Sequence, residues 1–295
     1  MKQESQLDIL TEIKNNPVPA SDEKAYLTRQ LVQATLPHAD LKDQDFFQSF
    51  NGDLTLSIRG GIDIETGQKY GLPYGTIPRL LMFWLTTEVM KTGSRKIYLG
   101  DNMSQFMRDI GLDPRGRGEK SDAARLKNQM ERLFHSIISF DKTIDKDNKK
   151  GRAWQSMQIA PKGIIWWDTK KHQQSDLFES YVELSEDFYE TMLNSPVPLD
   201  KRAITLLKNS SLTLDIYSWC SYKSYALKKQ GKPKQFLTWR RFMEQLGANY
   251  ADIKNFKKKA KDAFDKVHKV YPWLRVEYVS RGFEIYAANP SVPEQ

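Results

Sequence analysis

Two sets of side chains carry the chemistry this sequence offers, and both suit a polyanion. The first lies on the stretch Ser121 to Ile137. There Ser121, Ala124, Arg125, Asn128, Gln129 and Arg132 turn away from an apolar stripe of Leu126, Met130, Leu133 and Ile137. Arginine can bond guanine through two hydrogen bonds, Asn or Gln can bond adenine, and Ala fits beside a thymine methyl group. The preceding loop adds Arg115, Arg117 and Lys120, and a turn tip adds Lys149, Lys150 and Arg152, all types that bond phosphates. The second set lies along Ala251 to Val270, where Lys254, Lys257, Lys258 and Lys261 share the polar face. Lysine is a flexible point charge with little power to tell bases apart. This helix is therefore expected to grip backbone, with Asn249, Tyr250 and Asn255 as its base readers. Arg240, Arg241 and Arg281 complete the candidate contacts.

The charge distribution agrees. Residues 201–295 hold nineteen basic and eight acidic side chains, a net of +11 out of +8 for the whole chain. Residues 91–152 add a local +6, whereas residues 1–50 carry −3. Two basic zones in similar contexts imply a polyanion met at two places.

Catalytic patterns are weak. Gly116-Arg-Gly-Glu-Lys-Ser121 looks like a phosphate loop only superficially, because Glu119 separates Gly118 from Lys120 and no strand precedes it. His38, His135, His172 and His268 are far apart, with no His-x-His pair of the kind a rolling-circle nickase uses to hold its metal. A lone Cys220 excludes an internal disulfide and any zinc site built on several cysteines. No enzyme activity, cofactor or metal is expected. The best apolar run, Leu80 to Leu85, ends at Thr86-Thr-Glu88, far short of the roughly 20 residues of a membrane span. With no secretory signal at the N-terminus, a cytoplasmic location without membrane contact is expected.

The elements that position these side chains come in duplicate. Ser94-Arg-Lys-Ile-Tyr-Leu-Gly-Asp-Asn-Met-Ser-Gln-Phe-Met-Arg-Asp-Ile-Gly111 and Gly231-Lys-Pro-Lys-Gln-Phe-Leu-Thr-Trp-Arg-Arg-Phe-Met-Glu-Gln-Leu-Gly247 share basic residues, a short apolar strand, a polar helix start and Phe-Met-x-x-Ile/Leu-Gly. A helix precedes each copy, at Thr76–Lys91 and about Thr213–Lys229, and a longer helix follows each. Hairpins are expected next: Ile137–Ile144 with Ala153–Ile159, and Trp273–Val279 with Phe283–Ala287. The fold expected is α+β, two tandem winged helices (helix-turn-helix with a β-wing). Its divisions are an N-terminal helical segment over 1–50, a first winged-helix domain over 51–200 and a second over 201–295. Helical patterns at Gln6–Ile13 and Asp22–Thr35 define the first segment.

The block Gly71-Leu-Pro-Tyr-Gly-Thr-Ile-Pro-Arg-Leu-Leu-Met-Phe-Trp-Leu-Thr-Thr-Glu88 carries a family likeness. So do Tyr98-Leu-Gly-Asp, Phe106-Met-Arg-Asp-Ile-Gly-Leu112, Gln129-Met-Glu-Arg-Leu-Phe134, Leu36-Pro-His38 and Leu54-Thr-Leu-Ser-Ile58. Over residues 35–160 the chain resembles the plasmid-encoded RepA replication initiators of Gram-negative bacteria, more loosely beyond. The resemblance implies a non-enzymatic initiator that binds origin repeats (iterons), helps open adjacent AT-rich DNA and engages the host initiator and replicative helicase. It also implies a homodimer that represses the initiator's own promoter. The DNA-contacting residues above come from the helix faces and not from the family. A transcriptional repressor on the same scaffold is the alternative. Asp53–Arg59, alternating Leu54, Leu56 and Ile58 with polar residues, and the hairpin Ile137–Ile159 are the edges expected to make a weak dimer.

Overall fold

The computed structural model describes residues 5–42, 44–100, 102–146, 149–166, 180–248 and 250–293. The chain opens with α1 (Gln6–Asn15), whose cap Ser5 accepts from the Asp8 amide while the Asp8 carboxylate accepts from the Ser5 amide. Next come β1 (Lys24–Thr28), α2 (Arg29–Gln33) and β2 (Phe46–Asn51). The second N-terminal helix is thus a strand followed by a short helix. Ala25 and Leu27 are buried on alternate positions, and β1 pairs antiparallel with Pro196–Asp200, while Tyr26 donates its amide to Thr87 Oγ1. A distant partner outweighs the local helical spacing here. The expected boundary at residue 50 falls inside β2.

The first repeat follows: β3 (Leu54–Arg59), β4 (Gly61–Ile62), β5 (Lys69–Gly71), α3 (Thr76–Thr92), β6 (Lys96–Tyr98), α4 (Met103–Asp109) and α5 (Asp122–Phe134). The chain continues through β7 (Ile137–Lys146), β8 (Lys149–Gln158), β9 (Lys162–Ile164), β10 (Tyr181–Glu183), α6 (Glu186–Asn194), β11 (Pro196–Asp200) and α7 (Lys201–Leu207). The second repeat comprises α8 (Ser211–Lys229), β12 (Lys234–Thr238), α9 (Trp239–Gln245), α10 (Ile253–Val270), β13 (Val276–Val279) and β14 (Gly282–Tyr286).

Topology shows which strands correspond. The second repeat forms a sheet of order β12-β14-β13, and the first repeat matches it with β6-β10-β9. The expected hairpin of the first repeat, β7–β8, belongs elsewhere, to a four-stranded sheet of order β2-β3-β7-β8. Its reason is burial: Phe47, Ile58, Ile138 and Met157 line up side by side across the four strands, with Leu56 beside Phe140, all buried on one face of that sheet. β3 is consequently flanked on both sides, so the edge expected at Asp53–Arg59 is not free. β2 and β8 are the edges.

The shared Phe-Met-x-x-Ile/Leu-Gly motif has a mechanical basis. Gly111 (φ 82°) and Gly247 (φ 55°) end α4 and α9 in the left-handed conformation that glycine adopts without strain. The residue after each glycine bonds back to the motif methionine, Leu112 N to Met107 O at 2.7 Å and Ala248 N to Met243 O at 3.1 Å. The motif phenylalanines anchor the cores. Phe106 meets Trp84 edge-on at 4.9 Å, and Phe242 lies 4.8–6.1 Å from the rings of Trp219, Phe256, Phe264 and Phe283. Among the described residues no helix is long and apolar enough to cross a membrane.

Candidate nucleic-acid interface

The α10 helix is built for exposure of one face. Asp252 caps it by accepting from the Lys254 amide at 2.9 Å, and Phe256, Ala260, Ala263, Phe264, Val267 and Val270 are buried. The opposite face presents Lys254, Asn255, Lys258 and Lys259 exposed and Lys257 and Lys261 partly so. Among the described residues none of Lys254, Lys257, Lys258 and Lys259 forms an ion pair. Lys261 rests over the Tyr278 ring at 4.4 Å. Burial, then the Asp265 carboxylate, push the Tyr278 hydroxyl up to about 12. Lys259 escaped the sequence reading, although the run Lys257-Lys-Lys259 signals it.

Neighbouring candidates sit around this helix. Arg240 and Arg241 are exposed on α9, and Arg281 is exposed at the β13–β14 turn. Tyr250 departs from its expected role: its half-buried ring packs edge-on against Phe256 at 5.5 Å, and burial raises its hydroxyl pKa. It braces the start of α10 because a tyrosine just before an apolar helix turn finds a ring to cover. Asn249 lies outside the described residues.

The first repeat treats its charges differently. Ser121 caps α5 by accepting from the Ala124 amide at 3.2 Å. Arg125 and Asn128 are exposed, with Arg125 paired to Asp122 at 3.0 Å. Gln129 is only 5% exposed and accepts from the Tyr74 amide at 2.9 Å, so it faces inward and not onto the exposed surface of α5. Its position completes an i, i+3, i+4, i+7 stripe with Leu126, Met130 and Leu133, which a purely apolar reading overlooks. Arg132 is turned inward as well. It bonds Asp40 and the Leu72 carbonyl, both at 3.1 Å, and its guanidinium sits over the Tyr74 ring at 5.1 Å. Gln129 and Arg132 thus hold the Gly71–Tyr74 segment onto α5.

The loop and hairpin candidates are scattered. Arg117 and Lys120 are exposed. Arg115 forks onto Asp113 at 2.8 and 2.9 Å, and those hydrogen bonds hold the Asp113 carboxyl at about 2. Lys149, Lys150 and Arg152 are exposed on β8, with Arg152 paired to Asp141. Their hairpin is not the one that completes the first repeat's small sheet, so they do not form its wing. In that sheet β9 pairs with β10, and residues 167–179, which lie between them in sequence, are outside the described residues.

Cys220 is buried and its thiol pKa is raised well above the ordinary value by burial. Among the described residues no three His, Cys, Asp or Glu side chains cluster to hold a metal.

Comparison with known proteins places this arrangement. No curated protein matches the chain in sequence. The crystal structure of selenomethionine derivatives of domains 2 and 3 of RctB is similar, with a TM-score of 0.50 at 11% identity over 87% of this chain and 95% of that one. A second structure of RctB domains 2–3 has a TM-score of 0.45 at 9% identity, over 88% and 96%. The first likeness concerns the fold alone. The family model described as plasmid encoded RepA protein matches residues 72–241, more than half of the sequence, from the segment leading into α3 to the start of α9. The chain belongs to the family of plasmid-encoded RepA replication initiators.

Proposed function

We propose that this chain starts plasmid replication by binding repeated duplex sites at an origin through two winged-helix units, without a catalytic step of its own. The observation that carries the reading is the face of α10 whose Lys254, Lys257, Lys258 and Lys259 form no ion pair among the described residues, displayed on the third helix of a helix–strand–helix–helix–hairpin unit. In that setting the third helix enters the major groove and the hairpin flanks it. Two such units in one chain suit successive grooves about 34–36 Å apart on one side of the duplex. Bound in an array, the chain would help open neighbouring AT-rich DNA and offer the host initiator and replicative helicase a fixed platform.

The division of labour between repeats keeps the one the residue types suggest, base reading on α5 and backbone grip on α10, with fewer readers. With Gln129 and Arg132 spent on packing, Arg125 and Asn128 are the base readers left on α5. The second repeat supplies most of the affinity. A homodimer through the first repeat would use β8, an edge strand carrying Trp154 at 72% exposure. Sedimentation at tens of micromolar checks it: a monomeric boundary unchanged by Trp154→Ala contradicts the dimer.

Footprinting on the plasmid's own origin tests the function. Protection of direct repeats in successive grooves on one face is expected. Equal binding to scrambled duplex of the same composition contradicts the reading.

A further inference from the structure

The Leu36-Pro-His38 segment lies in the seam between the two repeats, around a buried arginine. Arg79 on α3, 4% exposed, donates Nε to Asp215 Oδ1 and Nη2 to Oδ2, both at 2.7 Å. Asp215 stands on α8, so the pair joins the first helix of one repeat to the first helix of the other. The remaining Arg79 donors reach the carbonyls of Leu36 (2.6 Å), Pro37 (3.0 Å) and Gly75 (2.7 Å). All five N–H groups of the guanidinium are used. His38 Nε2 lies 2.8 Å from Asp215 Oδ2.

Flanking contacts run along the same seam. Thr35 Oγ1 donates to the Leu246 carbonyl at 2.8 Å, and Gln33 Nε2 to the Tyr222 hydroxyl at 3.0 Å. A Cβ on Gly247 would sit 2.4 Å from the Phe47 ring, so the backbone after α9 presses directly on β2. Apolar seams tolerate repacking and sliding, whereas a fully satisfied fork has one geometry. A buried ion pair adds little net stability over an apolar substitute, and its best-attested use is fixing registry.

We propose that Arg79, Asp215 and His38 are positioning residues that set the distance and angle between α5 and α10. They thereby determine which spacing of two half-sites a single chain accepts. The inference rests on the reading that both repeats touch DNA. A rigid two-repeat reader makes mis-spaced DNA twist or bend to fit, and that deformation is charged against affinity. A loosened seam lets the protein adjust instead.

The test uses the full chain and duplexes carrying the footprinted origin repeat, with its two halves moved apart one base pair at a time through half a helical turn, about 5 base pairs. The wild type is expected to lose about tenfold or more in affinity off its preferred spacing. Asp215→Asn and the milder His38→Gln are expected to flatten that profile to within about threefold while keeping wild-type affinity for an isolated half-site. Circular dichroism confirms that each variant is folded, and His38→Gln decides the matter if Asp215→Asn is not. An unchanged profile in a folded variant, with both half-sites protected, overturns the inference alone. A wild-type footprint confined to one half-site overturns the two-repeat reading and the inference together.

Discussion

The third helices of the two repeats, α5 and α10, occupy the same place in the same order of elements and handle charge in opposite ways. On α5, Arg125 is paired with Asp122, Lys127 with Glu131, and Arg132 is drawn inward to Asp40. On α10 the lysines at 254, 257, 258 and 259 stand without ion pairs among the described residues. Counting basic residues therefore overstates α5. What a polyanion meets is the charge left after the protein has neutralised its own, and by that measure α10 dominates.

The strongest way to break the comparison is through the cores that present the helices. Phe242→Ala should cost about 3–5 kcal/mol in urea unfolding, because four aromatic rings surround it. A loss below 1 kcal/mol would mean the α10 face does not depend on that cluster.

A second route separates reading from packing on α5. Arg132→Ala and Gln129→Ala should each lower stability by roughly 1–3 kcal/mol, since the first strips Asp40 and the Leu72 carbonyl of a donor and the second strips the part-buried Tyr74 amide of its acceptor. Neither should change the preferred DNA sequence. An altered base preference with unchanged stability would return both residues to the reading surface.

pH sharpens the picture of the seam. Burial, followed by the Arg79 charge, holds His38 below the ordinary histidine value despite its bond to Asp215. The unfolded chain then takes up that proton first, so the His38 contribution is complete above about pH 6.5 and is lost as pH falls below it. Burial pushes the Asp215 carboxyl up, but the Arg79 charge and then the His38 and Arg79 hydrogen bonds outweigh it and hold it below the ordinary carboxylate value, so its contribution disappears only below about pH 4. Unfolding midpoints should fall between pH 7 and 5 in the wild type and stay flatter in His38→Gln. Identical pH profiles would contradict this.

The smallest effect is expected on the β7–β8 hairpin. Lys149→Ala with Lys150→Ala should change origin affinity by less than about 0.5 kcal/mol, because the pair lies outside the first repeat's own small sheet. A larger loss would place that hairpin on the DNA.

The helices and the repeat were legible because their signals are local. The 3.6-residue spacing of Phe256, Ala260, Phe264 and Val267, and the glycine that must end α4 and α9, are written within a few residues of one another. Partnerships across the chain were not. Lys24–Thr28 pairs with Pro196–Asp200, Arg132 with Asp40, and Arg79 with Asp215, and no spacing rule points from one to the other. The insertion of β7–β8 ahead of β9 and β10 likewise disguised which strands complete the first repeat. Arg125, Asn128, Lys254 and Lys258 stand exposed where the helix faces placed them, Lys257 and Lys261 are partly so, and Gln129 and Arg132, placed outward on the same grounds, turn inward while Tyr250 is half-buried.

The salt dependence of duplex binding tests the central claim, the dominance of α10, most directly. Each phosphate contact removed should lower the log–log slope by about 0.9. Replacing Lys254, Lys257 and Lys258 with Ala is predicted to flatten the slope by roughly 2–3 and weaken all sequences alike. Replacing Arg115 and Arg125, already paired to Asp113 and Asp122, should leave it nearly unchanged. A slope that holds in the lysine variant and collapses in the arginine variant would contradict the account.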